Sequence, residues 1–237
     1  MTNSVIEPLA PTPSSGEGAD APRLAPGTVL SHRYYVQRFI ARGGMGEVYA
    51  VEDLELHQQI ALKTIASHRA NERGARERFR REVQLSRRVT HPNVCRLFDV
   101  GFHEDADGGT IIFYTMELLE GETLAARLAR VGRMSREAAL PIVEQIAAAL
   151  DAAHAAGVVH CDFKPHNVLL VARGEGEPPR VVVTDFGLAR ALDAAKPTVP
   201  IEERMFGTPA YMAPEQVRGH EVTPRSDLYA LGVTLFQ

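Results

Sequence analysis

The chain lacks several features, and each absence narrows what it can be. It has only two cysteines, Cys95 and Cys161, far apart and without the close spacing of a metal site. That excludes a disulfide framework and fits a reduced, cytoplasmic protein. No charge sign dominates: 26 basic residues stand against 30 acidic ones, a net charge of −4. Such a chain is not drawn as a whole to nucleic acid or to an anionic membrane surface. The arginines between 69 and 88 are interleaved with Glu72, Glu77 and Glu82, which reads as a solvated helix face rather than a nucleic-acid arm. No apolar run reaches the length of a membrane span, and the alanine-rich stretch 146–159 is broken by Asp151 and His154. The start shows no basic stretch followed by an apolar core, so no signal peptide is read there. Large apolar side chains are scarce in residues 1–26, which are rich in Pro, Ala, Ser, Thr and Gly. A segment of that kind buries too little surface to offset its ordering entropy, and a disordered leader is expected.

What remains is enough for one or two sizeable cores, with 45% hydrophobic residues over 237 positions. Strand-like patterns run over 34–40, 47–51 and 59–65, the first two separated by the turn Gly43-Gly44-Met45-Gly46. A charged helical stretch over 72–88 places Phe79, Glu82 and Leu85 near one face. Two more strands are expected over 94–102 and 110–116. After 117–121 the character changes to helix, over 123–131 and 136–156. Ile142, Ile146, Leu150 and Ala153 form a stripe on the longer helix, and Gly157 fits its stop. No internal repeat is evident. The pattern predicts a leader over 1–26, a strand-rich lobe over 27–117, a junction over 117–121 and a helical lobe over 122–237. Ligand sites favour such junctions.

The chemistry concentrates at 160–167, His-Cys-Asp-Phe-Lys-Pro-His-Asn, followed downstream by Asp185-Phe186-Gly187. This order supplies an acid (Asp162), a cation (Lys164), a carboxamide (Asn167) and a second acid (Asp185). The set suits phosphoryl transfer, in which the protein mainly positions a reactive triphosphate and neutralises charge. One carboxylate can accept the proton of an attacking hydroxyl. The other acid and the amide can hold magnesium through hard oxygen ligands.

Taken singly, each remaining piece is bland: a Gly-rich turn is usually a hairpin, and a strand lysine such as Lys63 usually faces solvent. Their joint order is not bland. The chain resembles the eukaryotic-type protein kinases, closest to the bacterial Ser/Thr kinases of the Hanks class, from about Tyr34 to its last residue. The resemblance rests on Ala41-Arg42-Gly43-Gly44-Met45-Gly46-Glu47-Val48, Ala61-Leu62-Lys63, Glu82 and His91-Pro92-Asn93. It continues through Met116-Glu117-Leu118-Leu119, the 160–167 segment, Asp185-Phe186-Gly187, Gly207-Thr208-Pro209, Ala213-Pro214-Glu215 and Ser226-Asp227-Leu228-Tyr229-Ala230.

The resemblance implies an α+β bilobal fold: a five-stranded antiparallel N-lobe with one helix, and a mainly helical C-lobe that is incomplete at its C-terminus. It implies a Mg²⁺·ATP-dependent protein Ser/Thr kinase of bacterial signal transduction, with Mn²⁺ as a substitute ion. Protein substrates are expected, with the chain itself among them through autophosphorylation in a transient dimer. Backbone N–H groups around Gly43, Gly44 and Gly46 would cover the phosphates. Lys63 would neutralise them, held by Glu82. Asp162 would take the substrate proton, Lys164 would steady the γ-phosphate, and Asn167 and Asp185 would coordinate the metal. Ile40, Val48, Ala61, Met116 and Leu169 would surround adenine, with backbone groups of Glu117 and Leu119 at its edge. Lys164 and Thr208 match Ser/Thr rather than tyrosine kinases. Thr208 is read as a hydroxyl bonding Asp162 and Lys164, with a phosphosite as the alternative. The rival reading is a nucleotide-binding pseudokinase or inactive fragment serving as an interaction module; a small-molecule phosphotransferase is disfavoured by the 207–215 platform.

Three departures from the family pattern stand out. Ala41 replaces the first glycine and disfavours positive φ. Cys161 stands where an arginine would pair with activation-loop phosphate, and a thiol cannot make that charge-assisted bond. Between Asp185 and Gly207 the only Ser or Thr is Thr198. Activity is therefore expected to depend little on activation-loop phosphorylation. Cys161 reads as a packing residue, with a redox sensor as the alternative. The loop between Val171 and Val181 reads as exposed. Last, the sequence stops within the helix begun near Ser226. The expectation is that Leu228, Leu231, Val233 and Phe236 lose covering partners and that Glu215 is poorly paired.

Overall fold

The computed structural model describes residues 22–43, 46–65, 75–105, 108–174, 176–186 and 209–236. Six antiparallel strands form the N-terminal sheet, in the order β1-β2-β3-β4-β6-β5. They are β1 (Val29–Leu30), β2 (Tyr34–Gly43), β3 (Gly46–Asp53), β4 (Gln58–Thr64), β5 (Leu97–Glu104) and β6 (Thr110–Met116). Five of these carry the expected hydrophobic pattern. The sixth, β1, is two residues long and too short for any period to reveal.

Alternation along the strands separates two cores. On β4, Ile60 and Leu62 enter an outer core with Tyr49, Val51 and Phe113. Ala61 faces the other way, into an inner core with Phe79 and Val83 of helix α1 (Ala75–Ser86) and with Tyr114 and Met116 of β6. Side chains two apart share a face of a strand, so Lys63 follows Ala61 onto the α1 side. The register then sets its neighbours. Lys63 lies opposite Val48 of β3 on one side and Tyr114 of β6 on the other, while Ala61 lies between Ala50 and Met116.

Packing starts earlier than composition indicated. Leu24, inside the stretch expected to be a disordered leader, is buried in the outer core. The Arg23 amide donates to the Glu47 carboxylate at 2.9 Å, and the Gly27 amide donates to Val36 O at 2.8 Å. One leucine among prolines and alanines barely moves a composition, yet it fills a real position beside Tyr49, whose hydroxyl accepts its amide at 3.1 Å.

A second anchor of this lobe is Asp53, buried at the end of β3. It accepts two bonds from Arg33, at 2.9 and 2.7 Å, and the amides of Glu55 and Leu56. The Arg33 hydrogen bond holds its carboxyl below the ordinary value of 3.8 despite burial. An acid whose folded value is depressed adds stability above its ordinary value and loses it as the pH falls through the folded one. Asp53→Asn is therefore expected to flatten the loss of stability below about pH 4, where the free acid begins to bind protons. Urea midpoints taken from pH 7 down to pH 3 read this directly.

The second lobe is helical. Helix α2 (Leu124–Val131) is capped by Thr123, whose hydroxyl accepts the Ala126 amide at 3.0 Å. Helix α3 (Arg136–Ala155) is capped in the same way by Ser135. Ile142, Ile146, Leu150 and Ala153 of the expected stripe are all buried, and Gly157 ends the segment at φ +75°. A small sheet of β7 (Glu122–Thr123), β8 (Val168–Val171) and β9 (Arg180–Val183) lies against this lobe. Short α4 (Pro214–Val217) and α5 (Pro224–Phe236) follow.

Leu228 is 55% and Phe236 86% exposed, but Leu231 is buried against the α3 core and Val233 is half-buried. Glu215 is not left unpaired: the Ser226 hydroxyl donates to it at 2.5 Å, and that bond pulls its carboxyl below the ordinary range. Residues on the next helix supply the partner that the chain order did not reveal.

Candidate active site

The Gly-rich stretch expected to cover phosphates begins at the end of β2 and finishes at the start of β3. Gly46 sits at φ +145°, and a Cβ there would stand 1.8 Å from the Thr64 carbonyl oxygen. Only glycine lets β3 approach β4 so closely. A Cβ on Gly43 would meet nothing within 4 Å. Gly46→Ala is expected to lower unfolding stability by about 2 kcal/mol or more, with Gly43→Ala close to wild type; urea unfolding of the pair reads the difference. Gly44 lies outside the described residues. Beyond the turn, Glu47 receives Arg42 and Tyr49 as well as the Arg23 amide, which fastens the hairpin base.

Lys63 and Asp185 meet in the cleft. The Lys63 ammonium lies 2.5 Å from Asp185 Oδ2, and the Tyr114 hydroxyl donates to Oδ1 at 2.6 Å. Burial alone would push the Asp185 carboxyl up. The Lys63 charge, with hydrogen bonds from Lys63 and Tyr114, overcomes this and holds it below its ordinary value. Burial pushes the Tyr114 phenol well above its ordinary value, reinforced by the Asp185 charge, so Tyr114 is a donor. Lys63 thus rests on Asp185, and Glu82, the partner expected for it, is half-buried on α1.

Residues 160–167 are held from several sides. Lys164 Nζ lies 2.8 Å from Asp162 Oδ2. Asn167 donates from Nδ2 to Asp162 O at 2.8 Å, which directs its carbonyl oxygen elsewhere. Asn167 O in turn accepts the Thr184 amide at 2.9 Å, tying this segment to the one that carries Asp185. His160, fully buried, reaches Thr184 O through Nε2 at 2.9 Å and packs against Phe186 at 4.8 Å between ring centroids. Ser86, at the end of α1, donates to Phe186 O at 2.9 Å. The segment of Asp185 is thus linked to both lobes.

Asp227 supports the 160–161 backbone, a role that chain order does not name. Buried on α5, it accepts the amides of His160 at 2.8 Å and Cys161 at 3.0 Å, and it pairs with His154 Nε2 at 2.8 Å. Cys161 adopts φ +68°, a conformation uncommon outside glycine, and its carbonyl accepts Gln216 Nε2 at 2.7 Å. Its thiol is half-buried and donates to Val159 O at 3.4 Å. These contacts hold Cys161 by its backbone.

The side chains expected around a planar ligand differ in exposure. Ala61 and Met116 are buried in the inner core, with Val48 and Leu119 packed against it. Leu169, on β8, is half-buried, and Ile40 is 38% exposed on β2. The Glu117 amide donates to Arg96 O at 2.9 Å. Its side chain forms a two-pronged pair with Arg180, at 2.8 and 3.3 Å, and Arg180 also donates to Pro92 O. Arg180 ends the stretch read as an exposed loop, and composition hid its anchoring role. Thr198, Thr208 and Gly187 lie outside the described residues.

Asp185 and Asn167 fit a divalent cation by donor chemistry. A carboxylate and a carboxamide oxygen are the hard ligands that Mg²⁺ takes alongside phosphate oxygens. Among the described residues there is no cluster of three His, Cys, Asp or Glu side chains to hold a metal by protein alone.

Comparison with known proteins agrees with this geometry. The family model described as protein kinase domain matches residues 34–237. Serine/threonine-protein kinase PknA of Mycobacterium tuberculosis (strain ATCC 25618 / H37Rv) is 41% identical over 219 residues, 92% of this chain and 48% of PknA. Serine/threonine-protein kinase PrkC of Bacillus subtilis (strain 168) is 38% identical over 211 residues, 89% of this chain and 31% of PrkC. The chain therefore spans about half the length of PknA and less of PrkC. Among solved structures, the kinase domain of Mycobacterium tuberculosis PknI superposes with a TM-score of 0.70 at 31% identity, covering 90% of this chain and 75% of that domain. With that family model matched over residues 34–237 and PknA 41% identical over 92% of this chain's length, the chain belongs to the protein kinase family.

Proposed function

We propose that this chain is the catalytic region of a serine/threonine protein kinase that transfers the ATP γ-phosphate to Ser and Thr hydroxyls of proteins. The observation that carries the proposal is the paired state of Asp162 and Lys164 at 2.8 Å, joined through Asn167 and Thr184 to the Asp185–Lys63 pair. A base, a cation beside it and a hard-oxygen metal site on one rigid frame are what in-line transfer to a hydroxyl requires. Asp162 would accept the hydroxyl proton while Lys164 neutralises charge on the moving phosphoryl group. Lys63 would turn to the nucleotide phosphates, and the Gly46 turn would cover them. Asn167 and Asp185 would hold Mg²⁺, or Mn²⁺ in its place, and the bound ion would neutralise charge on the β- and γ-phosphates.

The proposal extends to partners and place. Its acceptors are protein hydroxyls, its own among them in a transient dimer, and it works in bacterial signalling in the cytoplasm. Among the described residues no helix is long and apolar enough to cross a membrane. Because Cys161 cannot bind activation-loop phosphate through a charge, activity is proposed to persist without phosphorylation at Thr198. Labelled ATP and Mg²⁺ incubated with the chain, beside an Asp162→Asn blank, test the reading. Phosphoserine or phosphothreonine formed by the first alone supports it. Nucleotide binding without transfer in either would assign the chain to a binding module, and loss of most activity in Thr198→Ala would overturn the statement about control.

A further inference from the structure

Tyr114 has a polar end in a core that is otherwise apolar. It belongs to the inner core with Ala61, Phe79, Val83 and Met116, and it is fully buried. A buried hydroxyl needs a partner, and here that partner is one oxygen of Asp185, at 2.6 Å. The other oxygen carries Lys63 at 2.5 Å. Both donors come from neighbouring strands in one register, since Lys63 lies opposite Tyr114 and on the same face.

Two contacts on two oxygens do what one cannot. The terminal torsion of an aspartate is broad, so a carboxylate held at one oxygen can swing about its last bond. Asp185 also sits at φ +64°, a backbone conformation that a non-glycine residue keeps only with outside support. If the proposed phosphoryl-transfer reading is right, Lys63 must leave Oδ2 for the nucleotide phosphates and the metal must take its place. The neutral phenol has no charge to follow the phosphates and none to repel the cation.

We propose that Tyr114 is a positioning residue for the metal-binding carboxylate: it holds Oδ1 of Asp185, so that Oδ2 is the oxygen exchanged between Lys63 and the divalent cation. Tyr114 touches neither nucleotide nor metal in this arrangement. Its effect passes through Asp185 and concerns the metal-dependent part of nucleotide binding, not the nucleotide alone.

The test uses the whole chain and the non-hydrolysable ATP analogue AMP-PNP, with affinities measured by calorimetry in Mg²⁺ and in EDTA. Thermal melts accompany each variant. Tyr114→Phe keeps the ring against Phe79 and removes the hydroxyl; Tyr114→Leu removes both. Both variants are expected to keep the EDTA affinity and to lose about tenfold of the gain that Mg²⁺ gives wild type, the loss typical of a hydrogen bond to a charged group. Mn²⁺ titrated in the presence of AMP-PNP and followed by electron paramagnetic resonance should show the same weakening. An Mg²⁺ gain in Tyr114→Phe equal to that of wild type overturns the proposal. So does a loss that follows ring volume, large in Leu and absent in Phe, or one that appears equally in EDTA. Wild type without any Mg²⁺ gain would instead overturn the phosphoryl-transfer reading, and this proposal with it.

Discussion

Asp162→Asn is expected to lower phosphoryl transfer by a factor on the order of 10²–10⁴, the contribution of a positioned general base. Nucleotide affinity should be unchanged. The side chain is nearly buried, and Lys164 holds its Oδ2 at 2.8 Å. Asparagine keeps the volume and one acceptor oxygen, and the bond from Asn167 goes to the backbone carbonyl of residue 162, which the substitution leaves in place. What disappears is the basic oxygen, because an amide cannot take a proton from a substrate hydroxyl near neutral pH. Initial rates on a Ser/Thr peptide, beside equilibrium binding of AMP-PNP, separate the two effects. A rate that stays above about a tenth of wild type would assign proton acceptance to another group, since the lower limit for a general base is two decades.

Asp227→Asn should act on the frame instead. The wild-type carboxylate accepts the His160 and Cys161 amides on separate oxygens and shares Oδ2 with His154. An amide has one oxygen, so its NH₂ group would confront a backbone N–H or the imidazole. The expected cost is about 3 kcal/mol of stability, from lost bonds to a charged acceptor and a buried donor left facing a donor. The same change releases Cys161 from its φ +68° conformation and lets Asp162 drift. A lower kcat with little change in KM for ATP follows, because Lys63 and the Gly46 turn are untouched. Denaturant midpoints and a kcat-against-KM comparison check both parts. Unchanged stability with lost activity would place Asp227 in the reaction rather than beneath it.

These two residues differ in how far they could be read in advance. Asp162 is legible because its neighbours in sequence, Lys164 and Asn167, are also its neighbours in chemistry. Asp227 was visible as part of Ser226-Asp227-Leu228, yet its partners stand at 154, 160 and 161, and no local pattern names them. Arg180 was hidden for a similar reason: it closes a stretch of Gly, Glu and Pro whose composition speaks only of exposure, while its guanidinium spans Glu117 and Pro92 O. Tyr114 lay within reach. It precedes Met116 by two on a strand, so alternation places it on the same face, and a hydroxyl on a buried face asks for a partner. The leader was misjudged over its last residues because one buried leucine weighs little in a composition.

By itself, then, the sequence determined the strand and helix periods, the stripe on α3 and the residue types of the cleft. Those follow from chain geometry and from side chains acting on near neighbours. Only the tertiary structure decided that Lys63 rests on Asp185, that Tyr114 shares that carboxylate, that Glu215 finds Ser226 and that Asp227 underlies Cys161. Each is a short-range bond between residues far apart in the chain. Hydrogen bonds act over about 3 Å, so their partners are settled by which elements pack together and not by the order in which residues are joined.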